Sequence, residues 1–330
     1  MKVVVTGGAG FIGSHLVEKL LKDNHKITII DNLSTGHREN IDKFFHKITF
    51  YNQDLSTINK KDLDKILINN DIIFHLAALA DIVPSIQLPE KYFNSNVIGT
   101  FKLLESCVRV NIKKIIYSAS SSCYGIPNNY PTNEESPEMP QYPYALTKLI
   151  AEKTIMHWAT IYGLEAVSLR FFNVYGTRSR TSGTYGAMFG VFLAQKLANK
   201  PFTVVGDGEQ TRDFTYVTDV VGALVRVMDS DVKTNIFNIG SGKTISVNKI
   251  VDLLKGNKIT VPKRPGEPDC TFADISKITR ETGWQPKISI EEGIDILLKE
   301  IDYWKNAPVW TPETIKTATE DWFKYLGKKS

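Results

Sequence analysis

The residues of this chain best suited to do chemistry are a tyrosine and a lysine four apart. Tyr144 and Lys148 stand in Pro143-Tyr144-Ala145-Leu146-Thr147-Lys148. The proline fits a helix start, and the i, i+4 spacing puts both side chains on one face. An ammonium beside a phenol favours the phenolate, which moves the tyrosine toward a useful general base. The lysine can also hold ribose hydroxyls. Ser120, in the serine-rich turn Ser118-Ala119-Ser120-Ser121-Ser122, ends the preceding strand and can hydrogen-bond a reacting oxygen. A tyrosine–lysine pair at this spacing is usually a solvated surface pair, so the weight falls on what comes before it.

What comes before it is a turn at the chain start. Lys2-Val3-Val4-Val5-Thr6 is a β-branched run that predicts a buried strand. Glycines follow at Gly7, Gly8, Gly10 and Gly13, and then a segment with apolar residues at helical spacing. A second β-branched run, Lys26 to Ile30, ends in Asp31. In such a turn one glycine allows the sharp bend, one lets backbone approach a pyrophosphate, and one lets helix pack on strand. The helix start, Phe11-Ile12-Gly13, offers unpaired N–H groups to phosphates. Asp31 can accept hydrogen bonds from both adenosine ribose hydroxyls and would repel a 2′-phosphate, so the expected cofactor is NAD and not NADP. Strand, turn, helix and acid in this order make the glycine pattern specific.

The remaining elements can position such a site. Asn32-Leu33-Ser34-Thr35-Gly36 is a polar turn placed to cover the adenosine end. A strand from Ile48 ends at Asp54-Leu55, and one from Asp71 runs into the small-residue loop Leu76-Ala77-Ala78, where a flat cofactor can lie close to backbone. Lys113 to Ser118 is a further strand, and helical patterns such as Tyr92 to Val110 separate them. The alternation predicts an α/β fold with a doubly wound parallel sheet of Rossmann type and ligands at the strands' carboxyl ends. From about Asn173 the pattern changes. Gly176-Thr177-Arg178-Ser179-Arg180-Thr181-Ser182-Gly183 is loop chemistry with anion-binding potential. We expect residues 1–172 to form the dinucleotide-binding domain, with segments near 210–240 returning to it. Residues 173–330 form mainly a smaller α+β substrate domain. Residues 311–326 read as one helix whose face, Ile315, Ala318, Trp322 and Tyr325, serves packing.

Bulk properties exclude other classes. The 330 residues are 42% hydrophobic, enough for a large core. Net charge is +4 with both signs interspersed, apart from Lys324, Lys328 and Lys329 near the end. That is a solvated surface and not a nucleic-acid footprint. Cys107, Cys123 and Cys270 form no CxxC pair, and the six histidines lack metal-ligand spacing. The expectation is a reduced, cytoplasmic protein with no metal site, no disulfide and no membrane span.

With these motifs in view, the chain resembles the extended short-chain dehydrogenase/reductases, within the nucleotide-sugar epimerase/dehydratase family, and most closely its UDP-glucose (UDP-galactose) 4-epimerase branch. The match runs through the glycine turn, Asp54, His75-Leu76-Ala77-Ala78, Asn96, the serine turn with Tyr124-Gly125, and Tyr144/Lys148. It continues through Arg170-Phe171-Phe172-Asn173-Val174-Tyr175-Gly176, Arg212-Asp213-Phe214, Asn238-Ile239-Gly240 and Arg264-Pro265-Gly266-Glu267-Pro268. The resemblance implies that Asn96 and Ser118 join the cofactor site. It also implies that Ser85, Asn173, Arg212, Arg264, Glu267 and Thr271 hold a nucleoside-diphosphate sugar, with UDP favoured. Thr271 aligns with a gate beside the sugar C2 substituent. A small residue there leaves room for an N-acetyl group, and its hydroxyl is free to meet the amide. The implied reaction inverts the hexose C4 hydroxyl through a transient 4-keto sugar. Tyr144 acts as base, and NAD takes hydride from C4 and returns it.

Departures narrow the choice. Family 4,6-dehydratases carry an Asp-Glu pair beside the catalytic Ser/Thr, and here Ser121-Ser122 stand instead. The glutamate usual in the decarboxylases is missing too. Cys123 lies one residue before Tyr124, not the two of family members that use such a cysteine, so all three cysteines are expected to be buried and inert. A C4 reductase or dehydrogenase with exchangeable NAD(H), and a non-enzymatic dinucleotide-sensing regulator, are the rival functions. Such regulators commonly lose the tyrosine or lysine that this chain keeps. Finally, the helices 92–110 and 144–162 carry more apolar stripes than one sheet can cover. In the family such helices pair into a four-helix bundle, so a homodimer is expected.

Overall fold

The computed structural model describes residues 1–179 and 187–327. Arg180-Thr181-Ser182-Gly183 of the expected anion loop, and Lys328 and Lys329, lie outside the described residues.

Six strands precede residue 172: β1 (Lys2–Thr6), β2 (Lys26–Asp31), β3 (Ile48–Asn52), β4 (Ile72–His75), β5 (Lys114–Ser120) and β6 (Glu165–Phe171). Among the described residues seven more follow: β7 (Asn173–Tyr175), β8 (Phe202–Val205), β9 (Thr211–Arg212), β10 (Phe214–Tyr216), β11 (Asn235–Ile239), β12 (Ile245–Ser246) and β13 (Lys258–Val261). The main sheet has seven strands in the order β11-β6-β5-β4-β1-β2-β3. Every neighbouring pair in it is parallel. Parallel strands need helical crossovers, which cover both faces, so their sequences are near-continuous apolar runs. Successive residues serve opposite cores. Val3, Val5, Phe74 and Ile116 face the helices Phe11–Lys22 and Val217–Met228. Val4, Ile73, Ile115 and Tyr117 face Lys60–Leu67, Gly99–Arg109 and Pro143–Tyr162.

Strand order reverses between β1 and β4, and a crevice opens there at the strands' carboxyl ends. After β6 the chain leaves the sheet. β7 pairs with β10, helix Val217–Met228 packs on Phe11–Lys22, and β11 returns to the sheet edge. Ile278 and Trp284 also join the sheet's core, so the returning chain extends past residue 240. The β8–β13 pair and the helices Met188–Leu197, Val247–Leu254 and Ile290–Lys299 build a separate core around Phe192, Phe202, Ile250, Leu297 and Trp304.

Two helices differ from expectation. The segment 92–110 contains one wide π turn, Asn94–Ile98, between Pro89–Phe93 and Gly99–Arg109. The segment 311–326 is two helices, Pro312–Ala318 and Glu320–Leu326. The break is at Thr319, whose backbone leaves the helical region at φ −102° and ψ 7° while its buried hydroxyl donates to the Ile315 carbonyl at 2.8 Å. Among the described residues no helix is long and apolar enough to cross a membrane, and no cluster of His, Cys, Asp and Glu is arranged to hold a metal ion.

Candidate active site

The crevice is one cavity of ≈ 650 Å³ that runs from the glycine turn to the C-terminal helix. At the first end, Gly7 has φ +72°, and a Cβ there would sit 2.7 Å from the Ala77 nitrogen. A Cβ on Gly13 would overlap the Gly7 carbonyl oxygen, so the helix start can close on the strand only with glycine at these two positions. The cavity wall here includes Gly7, Gly10, Phe11, Ile12 and Gly13, then Asp31, Asn32, Ser34, Thr35 and Gly36, and Asp54, Leu55, Leu76, Ala77 and Ala78. Asp31 is buried and already accepts from Ala9 N (2.9 Å) and Leu33 N (2.8 Å). Burial raises its pKa and these two N–H groups oppose the rise. Burial also pushes Asp54 up, but bonds from the Ser56 hydroxyl and N–H and from Asn32 outweigh it and lower the acid.

Two expected contacts are turned away from the cavity. Asn96 is buried: its Oδ1 accepts from Leu79 N at 2.8 Å, and its Nδ2 donates to Leu79 O and Thr147 Oγ1. It clamps the loop after β4 and is not among the side chains that line the cavity. Ser85 is fully buried and spends its hydroxyl on the Ile82 carbonyl at 2.6 Å. His75 lies below the same loop between Thr6 Oγ1 and Thr100 Oγ1, both at 2.8 Å. Burial lowers it to about 3, with the charge on Lys148 acting the same way, so it stays neutral.

At the middle of the cavity stand Ser118, Ser120, Tyr144 and Lys148. The Tyr144 phenol hydrogen-bonds Ser120, whose Oγ is 2.8 Å from Ser122 Oγ, and Ser122 bonds Tyr142 in turn. Four hydroxyls thus form a chain along the wall, and two of its members, Ser122 and Tyr142, had not been expected in the site. Their signal was weak: Tyr142 stands two residues before Tyr144, just outside the helix that fixes the i, i+4 pair. Ser118 Oγ donates to the His75 carbonyl and braces β5 on β4.

The electrostatics differ from the sequence-based picture. Burial raises Tyr144 above 10.0, and the bond to Ser120 only partly offsets this. Burial also lowers Lys148 to about 7, with Glu152 opposing, while its Nζ sits 4.2 Å from the Tyr117 ring centroid. The spacing does put the pair on one face, but Lys148 is buried and Tyr144 half-buried in the cavity wall, and desolvation disfavours the charged form of each.

The far end is polar and cationic. Arg212 Nη2 donates to Glu267 Oε1 at 3.0 Å, and Arg264 Nη1 is 3.8 Å from Glu267 Oε2. Asn173 and Thr271 line the wall beside them. Thr271 Oγ1 donates to Asn173 Oδ1 at 2.7 Å and accepts from Asp213 N at 3.2 Å. Its hydroxyl proton is therefore used within the protein, and one oxygen lone pair remains to accept from a substrate amide. Trp322 lines the cavity too, so the C-terminal aromatics are not all mere packing. Arg178 reaches the wall while paired with Glu18, and His15 Nε2 bonds Thr177 O at 2.9 Å, which ties the start of the 176–179 loop to the first helix. Cys107 and Cys123 are buried, and burial pushes the Cys123 thiol up to about 12. Cys270 is only half-buried, and its backbone pairs with Thr211.

Comparison with known proteins gives the same picture. The UDP-glucose 4-epimerase of Lactobacillus helveticus is 33% identical over 92% of this chain and 97% of its own. The UDP-N-acetylglucosamine 4-epimerase of Methanobrevibacter ruminantium, solved with UDP-N-acetylmuramic acid, superimposes with a TM-score of 0.84 at 36% identity, covering 91% of this chain and 98% of its own. The UDP-glucuronic acid 4-epimerase of Bacillus cereus, solved with UDP-glucuronic acid and NAD, gives 0.85 at 32%, covering 93% and 99%. The profile of the family described as GDP-mannose 4,6 dehydratase matches residues 4–297, and the chain belongs to that family of extended short-chain dehydrogenase/reductases acting on nucleotide sugars.

Proposed function

We propose that the protein is an NAD-dependent 4-epimerase of a UDP-hexose. The observation that carries this reading is the single cavity joining the glycine turn and Asp31 to Tyr144 and Ser120, and these to Arg212, Arg264 and Glu267. The bare glycine cradle fits a pyrophosphate, and a buried carboxylate at the end of β2 fits a ribose diol and opposes a 2′-phosphate. NAD, when bound, supplies reversible two-electron oxidation at C4.

The chain's own residues do the rest. Tyr144 accepts the 4-OH proton and later returns it, Ser120 holds O4, and Lys148 holds ribose hydroxyls. The two arginines grip the diphosphate while the 4-keto sugar presents its other face, and Glu267 holds the ribose diol. Hydroxyls at Ser121 and Ser122 cannot replace the acid–base pair that dehydration needs. Relatives that epimerise UDP-glucose, UDP-glucuronic acid and UDP-N-acetylglucosamine support the reaction class, and the last of these supports acceptance of 2-acetamido sugars.

The test is to purify the protein, measure co-purifying NAD, and incubate it with UDP-, GDP-, CDP- and dTDP-sugars, with products read by NMR. C4-inverted UDP-sugar with no net redox is expected. Stoichiometric NADH release would replace this reading with a C4 dehydrogenase. We also read the protein as a cytoplasmic homodimer: its three cysteines are unpaired, and apolar residues remain exposed on adjacent helices.

A further inference from the structure

The last helix carries a side chain that the reaction above does not use. Trp322 is only 3% exposed, yet it lines the cavity. Its Nε1 donates to the Pro265 carbonyl at 2.7 Å. The Arg264 guanidinium carbon lies 5.3 Å from its ring centroid, and the Tyr142 ring lies 6.4 Å away. At the helix's other rim, Gln87 Nε2 donates to Asp321 Oδ2 at 3.2 Å. The helix therefore spans the cavity between the 264–267 loop and the helix Ile82–Gln87.

A purely structural tryptophan buries its ring among apolar side chains. This one instead has a cation over its face and the carbonyl next to that cation on its only polar atom. Both contacts constrain Arg264, one through the side chain and one through the backbone of its neighbour. A guanidinium held over an indole keeps its forked donors in one orientation, and little freedom is left to lose when an anion binds. We propose that Trp322 is a positioning residue of the nucleotide-sugar site: it sets Arg264 for the diphosphate and walls the chamber beside Tyr142, which makes the C-terminal helix part of the substrate site. This rests on the nucleotide-sugar reading above.

The test is calorimetric titration of the NAD-loaded protein with UDP and with UDP-glucose. Trp322→Ala and Trp322→Leu should each weaken UDP at least tenfold, with NAD content unchanged and with the kinetic loss falling on KM and not on kcat. Trp322→Phe, which keeps a π face, should recover affinity to within about threefold of the parent. In an Arg264→Gln background, Trp322→Leu should cost less than about threefold, because the residue it positions is gone. The leucine variant fills the space and so serves where alanine fails to fold. Parent-like UDP affinity in Trp322→Leu, or losses that simply add to those of Arg264→Gln, would overturn the inference alone. A parent that binds neither UDP nor UDP-glucose would overturn the functional reading with it.

Discussion

Thr271 Oγ1 donates a 2.7 Å hydrogen bond to Asn173 Oδ1, and this bond ties the start of β7 to the loop that closes the sugar end of the cavity. It orients the Asn173 amide and leaves no hydroxyl proton on Thr271 for a substrate. A bulky residue at this position would crowd a substituent at the sugar C2. Thr271→Tyr should lower kcat/KM for a UDP-N-acetylhexosamine at least tenfold more than for the plain hexose, as a clash of about 1–3 kcal/mol implies. Thr271→Val keeps the size but frees the Asn173 amide, so it should raise KM for both substrates alike. Equal losses on the two substrates in the tyrosine variant would remove the gate.

Tyr144 stands at the middle of the cavity beside Ser120 and Lys148, and is read above as the residue that takes the 4-OH proton. Tyr144→Phe should abolish epimerisation, by at least the 10²–10⁴-fold typical of a general base. NAD should still co-purify, because the glycine turn and Asp31 are untouched. Turnover close to the parent's would rule out Tyr144 as the base.

Much of this was readable from the chain, and the exceptions share a cause. Strands buried on both faces must be continuous apolar runs, and the glycine turn has few other uses, so the sheet and the cofactor end were legible. The resemblance put Asn96 and Ser85 in the site but could not show that they bond backbone groups of Leu79 and Ile82. Spacing put Tyr144 and Lys148 on one face but carried no information on how deeply they are buried. Trp322 gave the pattern of a packing residue because a helix face looks the same over a core and over a cavity. Its partners, Pro265 and Tyr142, are distant in sequence.

Behind the site, Arg170 and Glu152 are each 1% exposed and make paired bonds, Nη2–Oε1 at 2.5 Å and Nε–Oε2 at 3.1 Å. Ser168, Tyr124 and Glu138 complete the network. Removing one partner strands a buried charge, so Arg170→Met should cost about 3–5 kcal/mol in urea unfolding. Adding Glu152→Met should recover much of that loss. A double variant as unstable as the single would show that the arginine's packing matters more than the pairing.

The helices Gly99–Arg109 and Pro143–Tyr162 pack side by side and leave Phe101 42%, Leu146 47% and Ile161 58% exposed. Phe101 meets Trp158 edge-on at 5.7 Å, so the two helices present one apolar surface. Pairing with a second copy would cover it. Light scattering at micromolar concentration should give a dimer, and Phe101→Glu with Ile161→Glu should give a folded monomer. A monomeric parent would contradict the pairing.

Lys148 makes a prediction about pH. It is 3% exposed, and burial lowers it from 10.5 to about 7 despite the opposing pull of Glu152. The unfolded chain keeps the lysine proton up to about 10.5. Between about 7 and 10.5 the unfolded state therefore binds more protons, and the parent gains stability as pH rises through that window. Below 7 the folded state carries the full cost of a buried ammonium. Burial raises Tyr117 and Tyr144, so both act in the opposite sense, but only above about pH 10, where unfolded tyrosines ionise. Lys148→Met removes the ammonium while keeping most of the volume. In urea unfolding of NAD-free protein, the margin of Lys148→Met over the parent should be largest at pH 6–7 and shrink steadily toward pH 9.5. A margin that is independent of pH, or that grows with it, would show that Lys148 keeps an ordinary pKa in the folded protein.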